Sequence, residues 1–293
     1  MASIAATPTK NTNALYQWID AIFRAVLRHL PVLPLTERIA LWWGYRYRPK
    51  PTLVRLRSGA LIKTTHVDHL QLLLYYFGTF EPECLAAMRR NVRPGDTILD
   101  VGANIGLFTL EGSLAVGPAG RVIAIEAMPA HATSVIDSVR RNGMSNVEVI
   151  PVAVGDQRGE GTLTLPSNMN YGMFTLGKVV GEVSFKVSVQ RIDDILAERG
   201  VNSVDFIKMD IEGSELKALI GAEQTLRKHH PTILIELYEE HLNNCGTSSH
   251  EVKSFLTKLG YRESFLDGTL ITLEQSHPVN ECLFVHETRL RTE

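Results

Sequence analysis

The sequence predicts an α/β fold: a doubly wound, mainly parallel seven-stranded sheet preceded by a helical N-terminal extension. Three observations predict it. From about residue 96 onward, short apolar runs alternate with amphipathic stretches in regular order. The first of those runs feeds a glycine-bearing turn, Asp100-Val-Gly-Ala-Asn-Ile-Gly106, of the kind that opens a helix against a ligand. The 293-residue chain is also 44% hydrophobic and 21% charged, which supplies a large buried core and excludes disorder or a coiled coil as a description of the whole.

Asp96–Val101 (DTILDV) reads as a buried strand, followed by a helix from Ile105 to about Val116. Arg121–Glu126 is the second strand, with a helix from about Ala130 to Asn142 behind it. Val147–Val154 is the third strand and Val204–Asp210 the fourth, the latter followed by a helix from about Ser214 to His229. Thr232–Leu237 is the fifth, followed by a helix near His250–Leu259. Tyr261–Leu266 and Glu281–His286 complete the seven as an antiparallel pair. Such alternation means βαβ units and a sheet covered on both faces.

The 30 basic and 32 acidic residues nearly cancel, which does not suit a protein that binds nucleic acid by neutralising phosphates. The distribution is uneven. Residues 1–57 hold nine basic side chains against two acidic ones, a net +7, and all three tryptophans, so the remainder is −9. On these grounds the chain divides into a basic helical segment, 1–57, and the α/β domain, 58–293. Ile19, Ile22, Phe23, Val26, Leu27 and Leu30 recur at helical spacing, while Asp20, Arg24 and Arg28 share another face. Two roles stay open for this helix. Its stripe packs on the domain or on a second subunit, which makes a homo-oligomer, or residues 14–57 lie on an anionic membrane surface. Pro31 and Pro34 end the helix. Three dispersed cysteines, no apolar run of membrane-spanning length and no secretory signal predict a cytoplasmic protein with at most a peripheral membrane contact.

Ligands of doubly wound sheets bind beyond the carboxyl ends of the strands. Those ends carry Asp100, Glu126, Asp156, Asp210 and Glu236. Gly102 and Gly106 leave room for a ligand against the backbone, so Gly102→Val is expected to abolish binding by filling that space. Glu126 suits two adjacent ribose hydroxyls. Asn104 stands where a dinucleotide-binding fingerprint has its second glycine. Asp100 would repel a pyrophosphate and attract an ammonium group. An adenosyl cofactor with a methionyl tail therefore fits better than a nicotinamide dinucleotide.

DVGANIG at 100–106, Phe80-Glu81-Pro82-Glu83 before it, IKMDIEGSE at 207–215 and LIEL at 234–237 together resemble the FkbM family of S-adenosylmethionine-dependent methyltransferases. The resemblance covers about residues 75–240. It implies a class I, Rossmann-like methyltransferase domain that methylates oxygen, on a sugar of a glycolipid, polysaccharide or glycosylated metabolite, or on a polyketide or other small secondary metabolite. Ala127 departs from the pattern, which usually has proline after the ribose-binding glutamate. The expected cofactor set is Glu81, Asp100, Gly102, Asn104, Gly106, Glu126, Ala153, Asp156 and Asp210.

The chemistry leads to further residues. An alcohol acceptor needs its proton removed near the methyl group, and Asp210, at the end of the fourth strand, is the first candidate base. Glu236 is the second, and Lys208 is expected to contact substrate or pair with a carboxylate. Glu215 suits a capping role at the next helix. Asp210, Glu212 and Glu236 leave Mg²⁺ open without predicting it. His66, Asp68 and His69 read as a turn or helix start, and His229 and His230 as a helix end. The stretch 166–182 interrupts the sheet, and its Asn170, Tyr171 and Phe174 suit a sugar ring, with a plain β-hairpin as the competing reading. Tyr75, Tyr76 and Phe80 are candidates for the pocket entrance, with a core role as the competing reading for at least one of them. Three rivals remain: a nicotinamide-dependent oxidoreductase, a nucleic-acid methyltransferase, whose Pro-Pro-Tyr and Pro-Cys motifs are missing here, and a noncatalytic membrane-associated scaffold.

Overall fold

A computed structural model describes residues 14–64, 68–165, 175–177, 183–271 and 280–290. The chain divides at Phe80/Glu81 into two units. The first contains α1 (Ala14–Leu27), α2 (Pro34–Tyr47), the antiparallel hairpin β1 (Thr52–Arg55) and β2 (Leu61–Thr64), and α3 (His69–Phe77). The division expected at 57/58 rested on composition and falls in the turn of this hairpin. Pro34 opens α2 at its first turn, where a missing N–H costs nothing. Asp68 caps α3 through the Gln71 N–H at 2.8 Å, and His69 pairs with Glu37 at 2.9 Å; His66 lies outside the described residues.

Helix α1 divides its expected stripe: Phe23 packs on Trp43 and Tyr76, and Leu27 is buried, while the rest faces outward. Asp20 is buried along with Leu27, while Ile19, Ile22, Val26 and Leu30 are exposed. The Asp20 carboxylate accepts hydrogen bonds from Trp43 Nε1 at 3.0 Å, from the Tyr76 hydroxyl at 2.8 Å and from the Tyr75 hydroxyl. Three donors satisfy a buried carboxylate, which an apolar side chain at 20 could not do for them. Tyr75 and Tyr76, expected at a pocket entrance, are instead the donors that hold Asp20.

The second unit opens with α4 (Pro82–Asn91), β3 (Thr97–Val101), α5 (Leu107–Val116), β4 (Arg121–Ile125), α6 (Pro129–Arg141) and β5 (Val147–Ile150). It continues with β6 (Ala153–Val154), β7 (Gly159–Leu165), β8 (Val183–Gln190), α7 (Ile192–Glu198), β9 (Phe206–Met209), α8 (Glu215–Gly221) and α9 (Glu223–His229). Then follow β10 (Thr232–Glu236), α10 (Glu239–Asn244), α11 (Ser249–Lys258), β11 (Tyr261–Ser264) and β12 (Glu281–His286). The seven-stranded sheet has the order β11-β12-β10-β9-β3-β4-β5. Strands β5, β4, β3, β9 and β10 are parallel, and β12 runs antiparallel between β10 and β11. The chain winds from β3 through β4 to β5 on one side and returns to β9 on the other, so the switch point lies between β3 and β9. All of β3 and β9 is buried, as expected for central strands covered on both faces. The core joins Leu99, Val101, Ile123, Ile207, Ile233 and Phe284 across the sheet.

Two expected elements are divided. Pro151 cannot donate to a ladder and ends β5, so the expected third strand, 147–154, splits. Its second half, β6, leaves the main sheet and pairs with β8, which with β7 forms a separate three-stranded sheet. The helix expected from 214 to 229 breaks between Gly221 and Glu223. There a side chain on Gly221 would sit 2.1 Å from the Gly155 carbonyl oxygen, so the close approach of the two chains requires glycine.

Candidate active site

Beyond the carboxyl ends of β3, β4 and β9 opens a cleft. Gly102, Asn104, Glu126, Ala153 and Asp210 line it, as do Met128, His131, Val152, Leu163, Leu176 and Glu212. Glu126 is held at the end of β4 by its two oxygens. One accepts the Asn104 N–H at 2.7 Å and the other the Met128 N–H at 2.7 Å. Each oxygen keeps a lone pair for a further donor, which is what two vicinal ribose hydroxyls supply. Burial pushes the Glu126 carboxyl up to about 7 against the pull of those backbone donors. Asn104 makes its part of this cradle with a positive φ of 51°, the left-handed conformation that asparagine tolerates better than most residues.

A second, smaller cavity lies beside it, lined by Glu81, Cys84, Phe108, Lys208, Asp210, Glu236 and Glu281 among others. Asp210 borders both cavities. Lys208 Nζ lies 3.1 Å from Asp210 Oδ2 and 3.4 Å from the Gly102 carbonyl oxygen, with the Phe108 ring 5.1 Å away. Burial works against the Lys208 charge, but the carboxylates of Asp210, Asp100 and Glu81 more than offset it and raise its pKa. For Asp210, burial opposes ionisation, but the Lys208 charge and a hydrogen bond from Glu236 hold it below the ordinary value. The Asp210 charge, reinforced by burial, pushes Glu236 up to about 10. The pair therefore shares one proton near neutrality, with Glu236 the donor and Asp210 the charged acceptor. Burial and the Asp210 charge raise Glu81 to about 7.

Carboxylate oxygens of Asp210, Glu212 and Glu236 come within 4.8 Å of one another. Each has a protein partner: Lys208 and Glu236 for Asp210, and His241 Nδ1 at 2.5 Å for Glu212. Glu215 turns back to accept the N–H groups of Ile211 at 3.0 Å and Gly213 at 3.2 Å, the structural role expected of it.

Several expected site residues do other work. Asp100 is fully buried beneath the cleft, with one oxygen accepting the Thr109 hydroxyl at 2.5 Å and the other unpartnered. Its backbone pairs with Lys208 across β3 and β9, so it acts on the cleft through that lysine's charge. Asp156 is not among the lining residues of either cavity. Its carbonyl accepts from Arg191 at 2.6 Å, because the chain at Gly155 has already turned to bond Gln190. Gly106 packs beside Val135, 3.2 Å from where a side chain would begin, and serves the start of α5. His230, expected at a helix end, caps α9 and stacks on His286 at 3.6 Å. Asn170, Tyr171 and Phe174 lie outside the described residues.

Sequence reasoning missed His131, Val152, Leu163 and Leu176. Val152 comes from the link between β5 and β6, Leu163 from β7 of the small sheet and Leu176 from the segment at 175–177. That segment is fixed by the Thr175 hydroxyl, which donates to the Glu212 carbonyl at 2.7 Å. Only a foreknowledge of the small sheet would have brought these apolar residues to the cleft. His131 had a signal in its place on the first turns of the helix after Glu126; its Nδ1 lies 4.0 Å from Glu126 Oε1.

The residues fit S-adenosylmethionine on three grounds. Glu126 can take the ribose, and Met128, Val152, Leu163 and Leu176 offer an apolar wall to an adenine. Asp210 presents negative charge to a sulfonium or an ammonium group, and Glu81, raised to about 7, ionises on meeting one. A pH dependence follows. A buried carboxyl raised from 4.5 to about 7, as Glu126 and Glu215 are, costs stability once it ionises. That stability is full below the unfolded pKa and is lost as pH rises through the folded one. The unliganded protein should therefore melt at a higher temperature near pH ~5.5 than near pH ~8. Cofactor binding at neutral pH should release protons, because a cationic ligand favours ionised Glu126 and Glu81. Calorimetry in two buffers of different ionisation enthalpy reads that release, and a melting temperature that rises from acid to neutral pH contradicts the assignment.

The Methyltransferase FkbM domain matches residues 100–263 of the chain. The chain is 28% identical to 31-O-demethyl-FK506 methyltransferase FkbM of Streptomyces tacrolimicus over 199 residues, 58% of this chain and 75% of that protein. It is 25% identical to 2-O-methyltransferase NoeI of Sinorhizobium fredii over 154 residues, 46% of this chain and 61% of that protein. A solved methyltransferase FkbM from Methylobacillus flagellatus is 20% identical with a TM-score of 0.45, over 76% of this chain and 54% of that one. The matched domain runs from Asp100 at the end of β3 to Glu263 in β11, more than half of the chain and most of the seven-stranded sheet. The protein therefore belongs to the FkbM methyltransferase family and is an S-adenosylmethionine-dependent methyltransferase.

Proposed function

We propose that the enzyme methylates a hydroxyl group of a sugar, carried on a glycolipid, polysaccharide or glycosylated metabolite, and that Asp210 takes the hydroxyl proton. The observation that carries this reading is the position of Asp210 on the border of both cavities, with Lys208 Nζ 3.1 Å from one of its oxygens. S-adenosylmethionine supplies, when bound, an electrophilic methyl group for in-line displacement. The chain's own task is to bind, orient and exclude water. An alcohol oxygen becomes strongly acidic as it gains a bond to carbon, so a carboxylate of low basicity suffices if it is charged and within reach. Lys208 keeps Asp210 charged and ties it to the Gly102 carbonyl, which fixes the ends of β3 and β9 against each other. Phe108, Leu234 and Ile235 close the smaller cavity with apolar surface. Glu81, Glu236 and Glu281 line the same cavity and offer acceptors for the several hydroxyls of a sugar ring. Similarity to FkbM, a 31-O-demethyl-FK506 methyltransferase, and to NoeI, a 2-O-methyltransferase, supports oxygen as the acceptor atom.

Side-by-side calorimetric titration should give micromolar-range affinity for S-adenosylmethionine, about −8 kcal/mol, and none for NAD. Transfer of labelled methyl from the cofactor into a fractionated host extract then identifies the acceptor. The label should appear in a carbohydrate-bearing fraction as an alkali-stable ether. An alkali-labile ester, or label in protein or nucleic acid, would overturn the assignment to a sugar hydroxyl.

A further inference from the structure

We propose that the outer faces of α1 and α2 form a docking surface for an anionic lipid bilayer. The observation is the exposure of large apolar side chains on both helices. The charged residues of α1 turn from its apolar face: Asp20 is only 2% exposed and Arg24 lies over the Tyr75 ring at 4.8 Å, while Arg28, just past the helix, donates to the Arg55 carbonyl at 2.7 Å. What α1 presents outward is Leu15, Trp18, Ile19, Ile22 and Val26, with Trp18 65% exposed. These positions recur at three- and four-residue spacing and make one uncharged stripe. An exposed stripe of this kind on a folded unit marks a surface that meets another apolar phase.

Helix α2 supplies the charge. Its outward residues Leu35, Ile39 and Trp42, the last 68% exposed, share their face with the exposed Arg38 and Arg46. The acid of this helix, Glu37, is turned to His69. The outer face is therefore apolar and basic with no acid on it. That composition selects the occupant. Protein interfaces exclude unpaired charge from their centres, and a second copy would bring further arginines to the same face. A bilayer interface accepts the combination: apolar side chains enter the acyl boundary, indoles sit at headgroup level, and arginines extend their stems to reach phosphate.

The test uses the full chain with sedimented vesicles of phosphatidylcholine, alone or with phosphatidylglycerol. Association should be at least ~10-fold stronger on the anionic vesicles at low salt and should fall as salt shortens the range of the attraction. Trp18→Ser with Trp42→Ser should weaken it at least ~10-fold with the melting temperature and cofactor binding kept, since both side chains are solvent-exposed. Arg38→Glu with Arg46→Glu should remove the preference for anionic lipid. Absence of binding, equal binding to neutral and anionic vesicles, or full binding by the tryptophan variant overturns the proposal. So does a lipid-free dimer in light scattering that the tryptophan variant dissociates, which assigns the face to a second copy.

Discussion

Asp210→Asn is expected to lower turnover by roughly 100-fold or more while leaving the fold intact, the usual scale for loss of a positioned general base. Asparagine keeps the shape of the side chain and can still meet Lys208 through its amide oxygen, but it cannot accept the hydroxyl proton. The neighbour is the discriminating control. Because the Asp210 charge and burial push Glu236 up to about 10, Glu236 is a neutral donor at working pH. Glu236→Gln keeps a donor at that position, so its turnover should stay within about 5-fold of wild type, as for loss of a hydrogen bond that is replaced. A reversed order of the two variants would make Glu236 the base and Asp210 its partner. Chelation by EDTA should leave wild-type activity unchanged, since the described carboxylates of this cluster are already met by Lys208, by His241 and by the Glu236 proton. Initial rates with saturating cofactor, measured for all three proteins with and without EDTA, check both statements.

The cofactor end of this site was legible because it follows from strand order and spacing. A parallel strand that ends in Asp100-Val-Gly must turn beneath its neighbours, and a carboxylate ending the next strand must face the same opening. The Lys208–Asp210 pair was legible as residue types, since both sit at the end of a central strand. Their electrostatics were not. Whether Asp210 or Glu236 carries the charge depends on which one Lys208 reaches, a distance that no linear spacing encodes. Asp100 shows the limit from the other side: residue type at a strand end suggested a ligand contact, but the pleat turns its side chain into the protein, where Thr109 receives it. The same holds in the first unit. Helical periodicity correctly grouped Ile19, Ile22 and Val26 on one face, but which face turns inward was decided by Tyr75, Tyr76 and Trp43 reaching Asp20 across more than twenty residues of sequence. Pro151 carried a readable stop signal for β5, yet nothing local announced that the chain would resume in a different sheet.

Gly102 separates a cofactor effect from a folding effect. The sequence suggested that a side chain there would block a ligand. The structure places the obstruction inside the protein: a Cβ on Gly102 would lie 1.9 Å from the Asp210 carbonyl oxygen, and the residue has φ of +81°. The β3 turn and the β9 turn thus meet backbone to backbone at this position, and Asp210 can border both cavities only because nothing stands between them. Gly102→Ala should therefore cost stability on the order of 4 kcal/mol or more, the scale of a severe steric fault, and Gly102→Val should fail to fold. Gly143 is the control, since it has φ of +64° with nothing within 4 Å of its added Cβ. Gly143→Ala thus carries only the backbone strain, about 1–2 kcal/mol. In a domain of this size each kcal/mol shifts the melting temperature by roughly 2–4 °C. Gly143→Ala should melt a few degrees below wild type, and Gly102→Ala about 8–16 °C or more below it, or yield no cooperative transition at all. If Gly102→Ala instead melts with the control and loses only affinity for S-adenosylmethionine, the turn has room to move. The residue would then serve the ligand in the way the sequence first suggested.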